Sequence, residues 1–350
     1  MEKRTTLKDI AHDAGLSVSA VSLALRNPKA LPESTVKRVR DSAKRLNYSP
    51  DPAMSALAAH RSRLRVHRDF SVIALVANWS DKSEWIQRES AKKLMEGAES
   101  RARSLGYSLQ YFWSRDHGAS PRRFGDILIN RGIRGIILAP FENPMERFDL
   151  PWDQFSVVSI ERPFHYTNFH HVVPNYYADM LLAWEKLWEY GYRRIGLVLD
   201  ADLANRVAHQ WEAAHNFEQL SRGRKETVVP TLILGPNSGE RDIANWMKEC
   251  KPEVVISRSW TNCQIMVSLG YKVPEEIGYV SLNIVDDDPG VSGIHQCRDI
   301  MGEVAVDVLN SLLLISHRGP IKASIGSQVD GEWRDGKTIR TDFKSKCATG

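Results

Sequence analysis

The side chains best suited to contact another molecule lie on one face of a short predicted helix near the N-terminus, residues 18–26. At about 100° per residue, its apolar side chains form one stripe and most of its polar side chains lie opposite. The apolar stripe consists of Val18, Val21 and Leu25. The opposite face and its flanks consist of Ser17, Ser19, Ser22, Leu23 and Arg26. Hydroxyl and guanidinium groups can hydrogen-bond to the phosphates and base edges of DNA, although the same pattern also occurs on solvated helices of small bundles.

A second predicted helix directly precedes this one. Thr6 and Asp9 have the spacing of a capping box, in which a hydroxyl and an acid satisfy the free backbone donors of a helix start. The apolar positions that follow share one helical face, and they are Leu7, Ile10, Ala11 and Ala14. Gly15 then suits a left-handed C-cap. Two helices joined by a short glycine-containing turn form a helix-turn-helix, whose second helix enters the major groove of DNA.

A third predicted helix starts at Pro32 and completes a small bundle. Its predicted inward residues are Val36, Val39, Ala43 and Leu46. This N-terminal segment resembles the lactose-repressor (LacI/GalR) family of bacterial transcription regulators. The matching motifs are Thr6-Leu7-Lys8-Asp9-Ile10-Ala11, Ala14-Gly15-Leu16-Ser17-Val18-Ser19, Val21-Ser22, Leu46-Asn47-Tyr48-Ser49-Pro50 and Leu57.

The resemblance implies that this segment binds DNA. In the family, the segment after the proline is a hinge helix, and the leucine that matches Leu57 wedges into the minor groove of the operator. The helical face and the family motifs together assign DNA contact to Thr6, Ser17, Val18, Ser19, Ser22, Leu23, Arg26, Tyr48 and Leu57. Leu23 departs from the family pattern, because an arginine that reads guanine commonly stands there.

The charge distribution separates this segment from the rest of the chain. Residues 1–68 carry 14 Lys and Arg against 6 Asp and Glu, whereas residues 69–350 carry 33 against 37. A basic module joined to a mildly acidic body is typical of a DNA reader attached to another domain. No apolar run of membrane-spanning length and no signal-peptide pattern occurs, and the four cysteines lack metal-site spacing. We therefore expect a reduced, cytoplasmic chain without a membrane partner.

The remainder of the chain alternates between predicted strands and helices. Buried-strand runs such as 135–139, 156–160 and 254–257 are separated by helical segments such as 83–105 and 204–221, and the pattern occurs in two successive sets. This predicts an α/β two-lobed body with two doubly wound parallel sheets, which follows a small all-α helix-turn-helix domain. The expected domains are a helix-turn-helix at 1–50, a hinge helix and linker at 51–68, and an effector-binding and dimerisation body at 69–350. The expected lobes are an N-lobe at about 69–162 and 290–324 and a C-lobe at about 163–289 and 325–350.

The body resembles the same family more loosely. Its landmark segments are Ile160-Glu161-Arg162-Pro163, Gly191-Tyr192-Arg193-Arg194-Ile195, Val273-Pro274-Glu275-Glu276-Ile277-Gly278 and His295-Gln296. The resemblance implies a periplasmic-binding-protein-like fold with three chain crossings between the lobes. It also implies a homodimer on a near-palindromic double-stranded DNA operator, and a small-molecule effector, a sugar or sugar derivative, bound between the lobes. Such an effector changes DNA affinity by binding two lobe orientations differently.

Residues at or just beyond the predicted strand ends are candidates for effector binding. They are Asn78, Trp79, Arg115, Glu161, Arg162, Arg206, Gln210, Arg258, Ser259, Trp260 and Asn283. Three tryptophans at strand ends, Trp79, Trp113 and Trp260, are interpreted as either aromatic platforms for a sugar ring or packing residues. Some candidates depart from the family: Asn283 replaces a usual aspartate, Ser259-Trp260 replaces an Asn-Asp pair, and Gln210 replaces a sugar-binding arginine. Arg206 could substitute for that arginine.

Other polar groups do not support catalysis or metal binding. Asp286-Asp287-Asp288 is interpreted as a solvated turn and His170-His171 as a surface loop, and Ser259 has no His/Asp arrangement around it. We therefore expect no catalytic residue, no metal and no cofactor. The predicted function is an effector-controlled transcription regulator, a repressor of carbohydrate-related genes. The alternatives are a solute-binding protein without a DNA role, a sugar-processing enzyme, and a regulator whose body answers to a protein partner.

Overall fold

The computed structural model describes most of the chain. The described residues are 5–26, 31–46, 48, 72–116, 120–143, 146, 148–161, 168–222, 227–284 and 290–344. The chain divides into two compact units, Met1–His67 and Arg68–Gly350. Several predicted features lie outside the described residues, namely the hinge segment with Leu57, Arg162, the acidic run 286–288 and the side chain of Arg26.

The first unit contains three helices. They are α1 (Leu7–Ala14), α2 (Val18–Arg26) and α3 (Glu33–Arg45). The predicted capping box is present, since the backbone N–H of Thr6 donates to the Asp9 carboxylate (2.7 Å) and the N–H of Asp9 donates to the Thr6 hydroxyl (3.4 Å). Gly15 ends α1 with a φ of 60°, the left-handed conformation that glycine adopts without steric cost. The sequence therefore predicts both ends of α1 correctly.

The buried face of α2 is rotated relative to the predicted apolar stripe. Val21 and Ala24 are buried, whereas Val18 is 40% exposed and Leu25 is half-buried. At about 100° per residue, Ala24 and Val21 lie about 60° apart on the helix, and Val18 lies about 60° further round. The expectation that Val18 points inward is therefore wrong, because the core contact is centred between Val21 and Ala24. Val18 lies instead at the edge of the face that carries Leu23.

The second unit is built from strands that alternate with helices. Its strands are β1 (Val72–Ala77), β2 (Ser108–Trp113), β3 (Gly135–Leu138), β4 (Ser156–Ile160), β5 (His170–Pro174), β6 (Ile195–Asp200), β7 (Leu232–Leu234), β8 (Val254–Ser257), β9 (Gly278–Ile284), β10 (Ser292–His295), β11 (Gly326–Val329) and β12 (Glu332–Arg334). Its helices are α4 (Lys82–Gln87), α5 (Glu89–Ser104), α6 (Pro121–Asn130), α7 (Tyr176–Glu189), α8 (Ala201–Arg206), α9 (Gln210–Arg222), α10 (Glu240–Cys250), α11 (Trp260–Ser268) and α12 (Arg298–Leu314). Central strands such as β3, β4 and β8 are buried along their whole length, as parallel strands covered on both faces are.

The strands form two six-stranded sheets, which define two lobes. The first lobe has the strand order β11-β5-β4-β3-β1-β2, and the second has the order β12-β10-β9-β8-β6-β7. The strand pairs are parallel apart from the antiparallel pair of β10 and β12. The chain passes between the lobes after β5, after β10 and after β11. This confirms the predicted periplasmic-binding-protein-like body with two mainly parallel sheets.

The lobe limits differ from those expected from the sequence. β5 pairs with β4 and β11 in the first lobe, so the first crossing lies at Asn175, beyond the expected limit near 162. Likewise β10 belongs to the second lobe and β11 to the first. The interpretation of His170-His171 as a surface loop is wrong, because both residues belong to β5. β11 pairs with a strand more than 150 residues away, and local patterns give little sign of such short strands.

Two predicted helices are each divided in the structure. The predicted helix from Ser83 to Leu105 forms α4 and α5, which are separated by Arg88 in an extended conformation (φ −65°, ψ 124°). The predicted helix from Ala204 to Ser221 forms α8 and α9, which are separated by Ala208 and His209 with positive φ. Residues with these backbone angles interrupt the helical hydrogen-bond ladder, so each second helix takes a new direction. The sequence analysis did not predict α11 and α12.

Two glycines allow α5 and α12 to approach closely. A Cβ on Gly302 would lie 2.3 Å from the carbonyl oxygen of Leu94 and 2.7 Å from the nitrogen of Ala98. A Cβ on Gly97 would lie 2.0 Å from the carbonyl oxygen of Asp299. The backbones therefore touch at the point where α12 begins after the second crossing. This contact positions the first turn of α12 against the first lobe.

Candidate functional site

The exposed face of α2 carries the residues predicted to read DNA. Leu23 is 38% exposed, and Ser19 is also exposed, while Ser22 is half-buried at the border of this face. Ser17 caps the helix, since its hydroxyl oxygen accepts a hydrogen bond from the backbone N–H of Ala20 (3.1 Å). The helix thus presents short hydroxyl groups and one aliphatic side chain on the same side. Contact of these residues with DNA remains a prediction.

Thr6 and Tyr48 have visible structural roles in the first unit. The Thr6 hydroxyl donates to the Asp9 carboxylate (2.7 Å) and is exposed at the start of α1. Tyr48 is half-buried against the core of the three helices, and its backbone N–H donates to the carbonyl of Ala43 (2.9 Å). Their assignment to DNA contact stays a prediction alongside these roles.

The carboxyl ends of the central strands bear most of the residues predicted to bind an effector. Asn78 follows β1, Glu161 follows β4 and Arg258 follows β8, while Asn283 lies near the end of β9. Open parallel sheets bind their ligands at this edge. We call the space bounded by these strand ends the cleft.

Glu161 lies at the centre of a charged group in the cleft. One of its carboxylate oxygens lies 3.1 Å from Nη1 of Arg298, and the other lies 3.6 Å from Nη1 of Arg206. The side chains of Glu161 and Arg298 are only 14% and 13% exposed. Burial raises the pKa of the Glu161 carboxyl, but the charges of Arg298 and Arg206 outweigh burial and hold this pKa below its usual value. Glu161 is therefore ionised at neutral pH and binds both arginines.

Arg206 connects the two lobes. It ends α8 in the second lobe, and its Nη1 and Nη2 donate to the backbone carbonyls of Phe141 (2.8 Å) and Glu142 (2.6 Å) in the first lobe. Together with the ion pair to Glu161, these bonds span the cleft. We call them the interlobe contact. Because hydrogen bonds require short distances, separation of the lobes at this point would break the interlobe contact.

Arg258 and Tyr176 complete this part of the cleft. Arg258 remains accessible to solvent, yet partial burial in the cleft and the positive charge of Arg298 lower the pKa of its guanidinium. Tyr176, in the first turn of α7, is buried, and burial together with the Glu161 carboxylate raises the pKa of its hydroxyl. Tyr176 therefore stays neutral. We call Glu161, Arg206, Arg258 and Arg298 the arginine cluster.

The first lobe contributes a separate polar network. Asn78 is fully buried, and its Nδ2 donates to the Glu146 carboxylate (3.0 Å). Arg115 donates through Nε to the Asn78 carbonyl (2.8 Å) and through Nη2 to the same carboxylate (2.8 Å). The Oδ1 atom of Asn78 is buried and has no hydrogen-bond partner among the described residues. The structure thus brings Asn78 and Arg115 together, as a network around Glu146.

Two of the three tryptophans at strand ends make contacts within the first lobe. Trp79 donates through Nε1 to a backbone carbonyl (2.8 Å), and the guanidinium of Arg88 lies 4.3 Å from the centre of its ring. Trp113 is buried in the core, with its ring 6.1 Å from that of Trp85. Trp113 is therefore a packing residue rather than an aromatic platform.

Ser259 and Trp260 begin α11 directly after β8. The carbonyl of Ser259 accepts a hydrogen bond from the hydroxyl of Tyr279 (2.8 Å), and the hydroxyl of Ser259 makes no capping bond to the helix. Trp260 is 43% exposed and packs edge-on against Tyr279, with ring centres 5.6 Å apart. Gln210 is half-buried as the first residue of α9. Of the predicted aromatic platforms, Trp260 has an accessible ring beside the cleft.

A shallow pocket adjoins the arginine cluster. It is lined by the start of α5 in the first lobe and by Asn283, Gln296 and Arg298. Arg298 donates through Nη2 to the Gln296 side-chain oxygen (2.7 Å), and the backbone N–H of Asn283 donates to the hydroxyl of Ser281 (3.2 Å). Asn283 was predicted from the sequence, whereas Arg298 and Tyr176 were missed. Arg298 lies two residues after the landmark His295-Gln296, and this proximity is the signal that could have identified it.

One group of described residues has the composition of a metal site. The ligand atoms of His295, Cys297 and Glu332 lie within 4.8 Å of one another. Burial and the Glu332 carboxylate raise the pKa of the Cys297 thiol to about 11, and its sulfur lies 3.7 Å from Nδ1 of His295. Because Glu332 is exposed, and exposed acidic groups commonly lie beside such ligands without an ion, we assign no metal to this group.

Comparison with known proteins agrees with these features. The N-terminal segment matches the model of bacterial regulatory proteins of the lacI family over residues 6–51. A similar curated protein is the HTH-type transcriptional repressor PurR of Haemophilus influenzae (strain PittEE), which is 21% identical over 339 residues, covering 89% of this chain and 92% of that protein. PurR of Pectobacterium carotovorum subsp. carotovorum is 24% identical over 317 residues, covering 87% and 89%. The N-terminal segment therefore carries the DNA-binding domain of the lacI family, and most of the chain is similar to repressors of that family. Members of this family are DNA-binding transcription regulators and not enzymes.

Solved structures of similar proteins share the fold of this chain. The complex of the transcriptional regulator CelR with cellobiose has a TM-score of 0.59 at 17% identity, covering 96% of this chain and all of that chain (100%). The lac repressor dimer bound to operator and the anti-inducer ONPF has a TM-score of 0.55 at 16% identity, covering 96% and 99%. A LacI family regulator from Enterococcus faecium with bound ribose has a TM-score of 0.53 at 13% identity, covering 77% and 99%.

None of the described helices combines the length and the apolar character needed to cross a membrane.

Proposed function

We propose that this regulator represses carbohydrate-related genes and that a small polar effector, a sugar or sugar derivative, controls its affinity for DNA. The effector binds in the cleft between the lobes. The protein acts as a homodimer on a near-palindromic operator. Support for the dimer and for a sugar comes from similar structures, which include a repressor dimer on its operator and complexes with cellobiose and ribose.

The observation that carries the proposal is the interlobe contact. Arg206 of the second lobe donates to two carbonyls of the first lobe at the edge where parallel sheets bind ligands. A ligand that adds bonds between the same surfaces favours the closed arrangement, and a ligand that competes for Arg206 favours the open one. Either effect gives the effector different affinities for two states, as allosteric control requires.

The effector-binding residues are proposed from their position around this contact. Arg206, Arg258 and Glu161 belong to the arginine cluster, and Trp260 and Asn283 lie beside it. Gln210 and Ser259 lie at the first turns of α9 and α11. Asn78, Trp79 and Arg115 form the first-lobe wall, and Arg162 lies outside the described residues.

The DNA-binding part is tested by selecting an operator from random duplexes. The protein should bind a near-palindromic duplex as a dimer, and its affinity should fall by roughly 0.9 log unit per log unit of salt for each phosphate neutralised. A chain that lacks residues 1–62 should remain folded, as judged by circular dichroism, and should not bind the duplex. Specific binding of the selected duplex by the truncated chain would contradict the assignment of DNA binding to the first unit.

The effector part is tested by thermal melting against a sugar library. A ligand of the native state raises the melting temperature, and the same compound should change operator affinity. Trp260→Ala should abolish the shift, whereas Val267→Ala, two turns along the same helix and also exposed, should leave it unchanged. Equal ligand affinity in both variants would remove Trp260 from the site. A library without any binder would favour the alternative in which the body answers to a protein partner.

A further inference from the structure

Cationic groups predominate in the described part of the cleft. Three guanidinium groups, from Arg206, Arg258 and Arg298, surround the single carboxylate of Glu161 in the arginine cluster. Each of these arginines influences the ionisation of Glu161 and of Tyr176, so the four charges lie in one electrostatic neighbourhood. The cluster thus carries two more positive charges than negative ones.

The hydrogen-bond donors of two of these arginines are already largely in use. Arg206 donates to two carbonyls in the interlobe contact, in addition to its ion pair with Glu161. Arg298 donates through Nη1 to Glu161 and through Nη2 to Gln296. The Nε atom of Arg298 is buried and has no hydrogen-bond partner among the described residues. A buried donor of a charged group without an acceptor is energetically costly.

Arg258 is the arginine of the cluster whose donors have no acceptor within the described part of the chain. No hydrogen bond or ion pair joins its side chain to any described residue, and it remains accessible to solvent. The positive charge of Arg298 repels that of Arg258 and therefore contributes to lowering the pKa of the Arg258 guanidinium. The next helix, α11, begins two residues later with no side-chain cap from Ser259, and the positive end of its dipole adds positive potential beside Arg258.

From this arrangement we infer that the effector carries an oxyanion, a phosphate or a carboxylate, which binds between Arg258 and Arg298. This inference rests on the proposed function and specifies the chemical class of its effector. A guanidinium fork matches both phosphate and carboxylate oxygens, and the anion would supply the acceptor that Nε of Arg298 lacks. The uncharged part of the ligand would face Trp260 and Asn283. Sugar phosphates and sugar acids share this chemistry, so the experiment must separate them.

The test compares charged sugars with their neutral parents on the full-length protein. The probes are glucose, glucose 6-phosphate, gluconate, ribose, ribose 5-phosphate and inorganic phosphate, and the readout is the shift in melting temperature, followed by calorimetric titration of any binder. We expect a phosphorylated or an acidic sugar to bind at least roughly 10-fold more tightly than its neutral parent, and more weakly as potassium chloride rises from low to high concentration. Tight binding of a sugar phosphate would identify a phosphate ester, and tight binding of gluconate would identify a carboxylate.

Arg258→Gln and Arg241→Gln are the matched variants. Arg258→Gln should weaken binding of the charged sugar by roughly 10- to 100-fold, as expected for loss of hydrogen bonds between charged groups. Arg241→Gln removes the same charge from an exposed position on α10 and should leave binding unchanged. Because the Arg258 side chain makes no hydrogen bond or ion pair with any described residue, its variant should fold, and the melting temperature without ligand verifies this.

The outcomes separate this inference from the proposed function. If a neutral sugar binds as tightly as its charged derivative, and Arg258→Gln binds it equally well, the inference fails while a cleft effector remains. If inorganic phosphate stabilises the wild type and Arg258→Gln equally and no sugar adds to that shift, the effect is a general ionic one and the inference also fails. If no probe and no member of the sugar library raises the melting temperature of the wild type, both the inference and the sugar effector are contradicted.

Discussion

Asp179 allows a quantitative test of how burial at a lobe crossing affects stability. It lies in the first turn of α7, is 1% exposed, and accepts a hydrogen bond through Oδ1 from the backbone N–H of Gly331 (2.9 Å), close to the third crossing. Its Oδ2 atom is buried and has no partner among the described residues. Burial raises the pKa of Asp179 to about 7, the Gly331 hydrogen bond opposes this, and the charge of Asp330 adds to it. Asp179 is therefore about half protonated near neutral pH.

The sign and size of the effect on stability follow from the two pKa values. Because the pKa of Asp179 is higher in the folded state than its ordinary 3.8, its contribution to stability is fully present below that value and is lost as pH rises through about 7. Between pH 5 and pH 8, the wild type should lose about 2–3 kcal/mol of unfolding free energy on this account, at 1.36 kcal/mol for each pH unit up to the folded pKa. Asp179→Asn removes the titration, keeps an oxygen for Gly331, and should not show this loss.

The assay is urea denaturation of both proteins at several pH values from 5 to 8. The difference in unfolding free energy between Asp179→Asn and the wild type should shift by about 2–3 kcal/mol in favour of the variant as pH rises across this range. Asp126→Asn, at an exposed position on α6, provides the control and should show no pH-dependent difference. A difference between wild type and Asp179→Asn that stays constant from pH 5 to pH 8 would refute the reasoning.

Three further predictions concern the reading helix, the helix contact and the interlobe contact. Leu23 can pack on a thymine methyl but cannot donate to guanine, so the operator half-site should carry a thymine opposite it. Leu23→Arg should shift the preference at that base toward guanine by about 1–3 kcal/mol. Base-by-base binding profiles at fixed salt test this, and the same profile for both proteins would exclude Leu23 from the reading face. Gly302→Ala places a Cβ 2.3 Å from the Leu94 carbonyl oxygen and should cost about 1–3 kcal/mol or more of stability. A Cβ on Gly235 would meet nothing closer than 3.9 Å, so Gly235→Ala should be nearly neutral. Similar urea midpoints for the two variants would contradict the close approach of α5 and α12. Arg206→Gln should lower effector affinity by roughly 10-fold. It should also increase the radius of gyration of the ligand-free protein, as measured by solution scattering. An unchanged radius would show that Arg206 does not hold the lobes together.

Sequence patterns identify the parts of the fold that are specified locally. β4 and β8 have the predicted limits, because continuous apolar runs bounded by polar residues mark buried parallel strands. The capping box of Thr6 and the C-cap at Gly15 are also local features, and both occur as predicted. By contrast, β5 begins with His170 and His171 and pairs with a strand more than 150 residues away, so it has no local apolar signature.

The candidate site was only partly predictable for the same reason. Glu161 and Arg206 follow predicted strands or lie in the next helix, and their position in the cleft could be inferred from the chain alternation. Arg298 pairs with Glu161 across 137 residues and begins a helix that the pattern analysis did not detect. Trp113 occupies a strand end as expected, yet the adjoining Trp85 buries it. Which strand-end side chains face the cleft depends on packing between elements distant in the chain.

The acceptors of the interlobe contact have an evolutionary consequence. Arg206 donates to main-chain carbonyls, and every amino acid at position 142 supplies that same oxygen. Substitutions at Glu142 should therefore leave the contact intact, whereas almost any change at Arg206 removes it. For these two backbone hydrogen bonds, heritable variation is then concentrated at the Arg206 codon, and the Glu161 codon affects the contact only through the ion pair. A saturation library scored for altered response should yield its strongest phenotypes at position 206 and few at position 142.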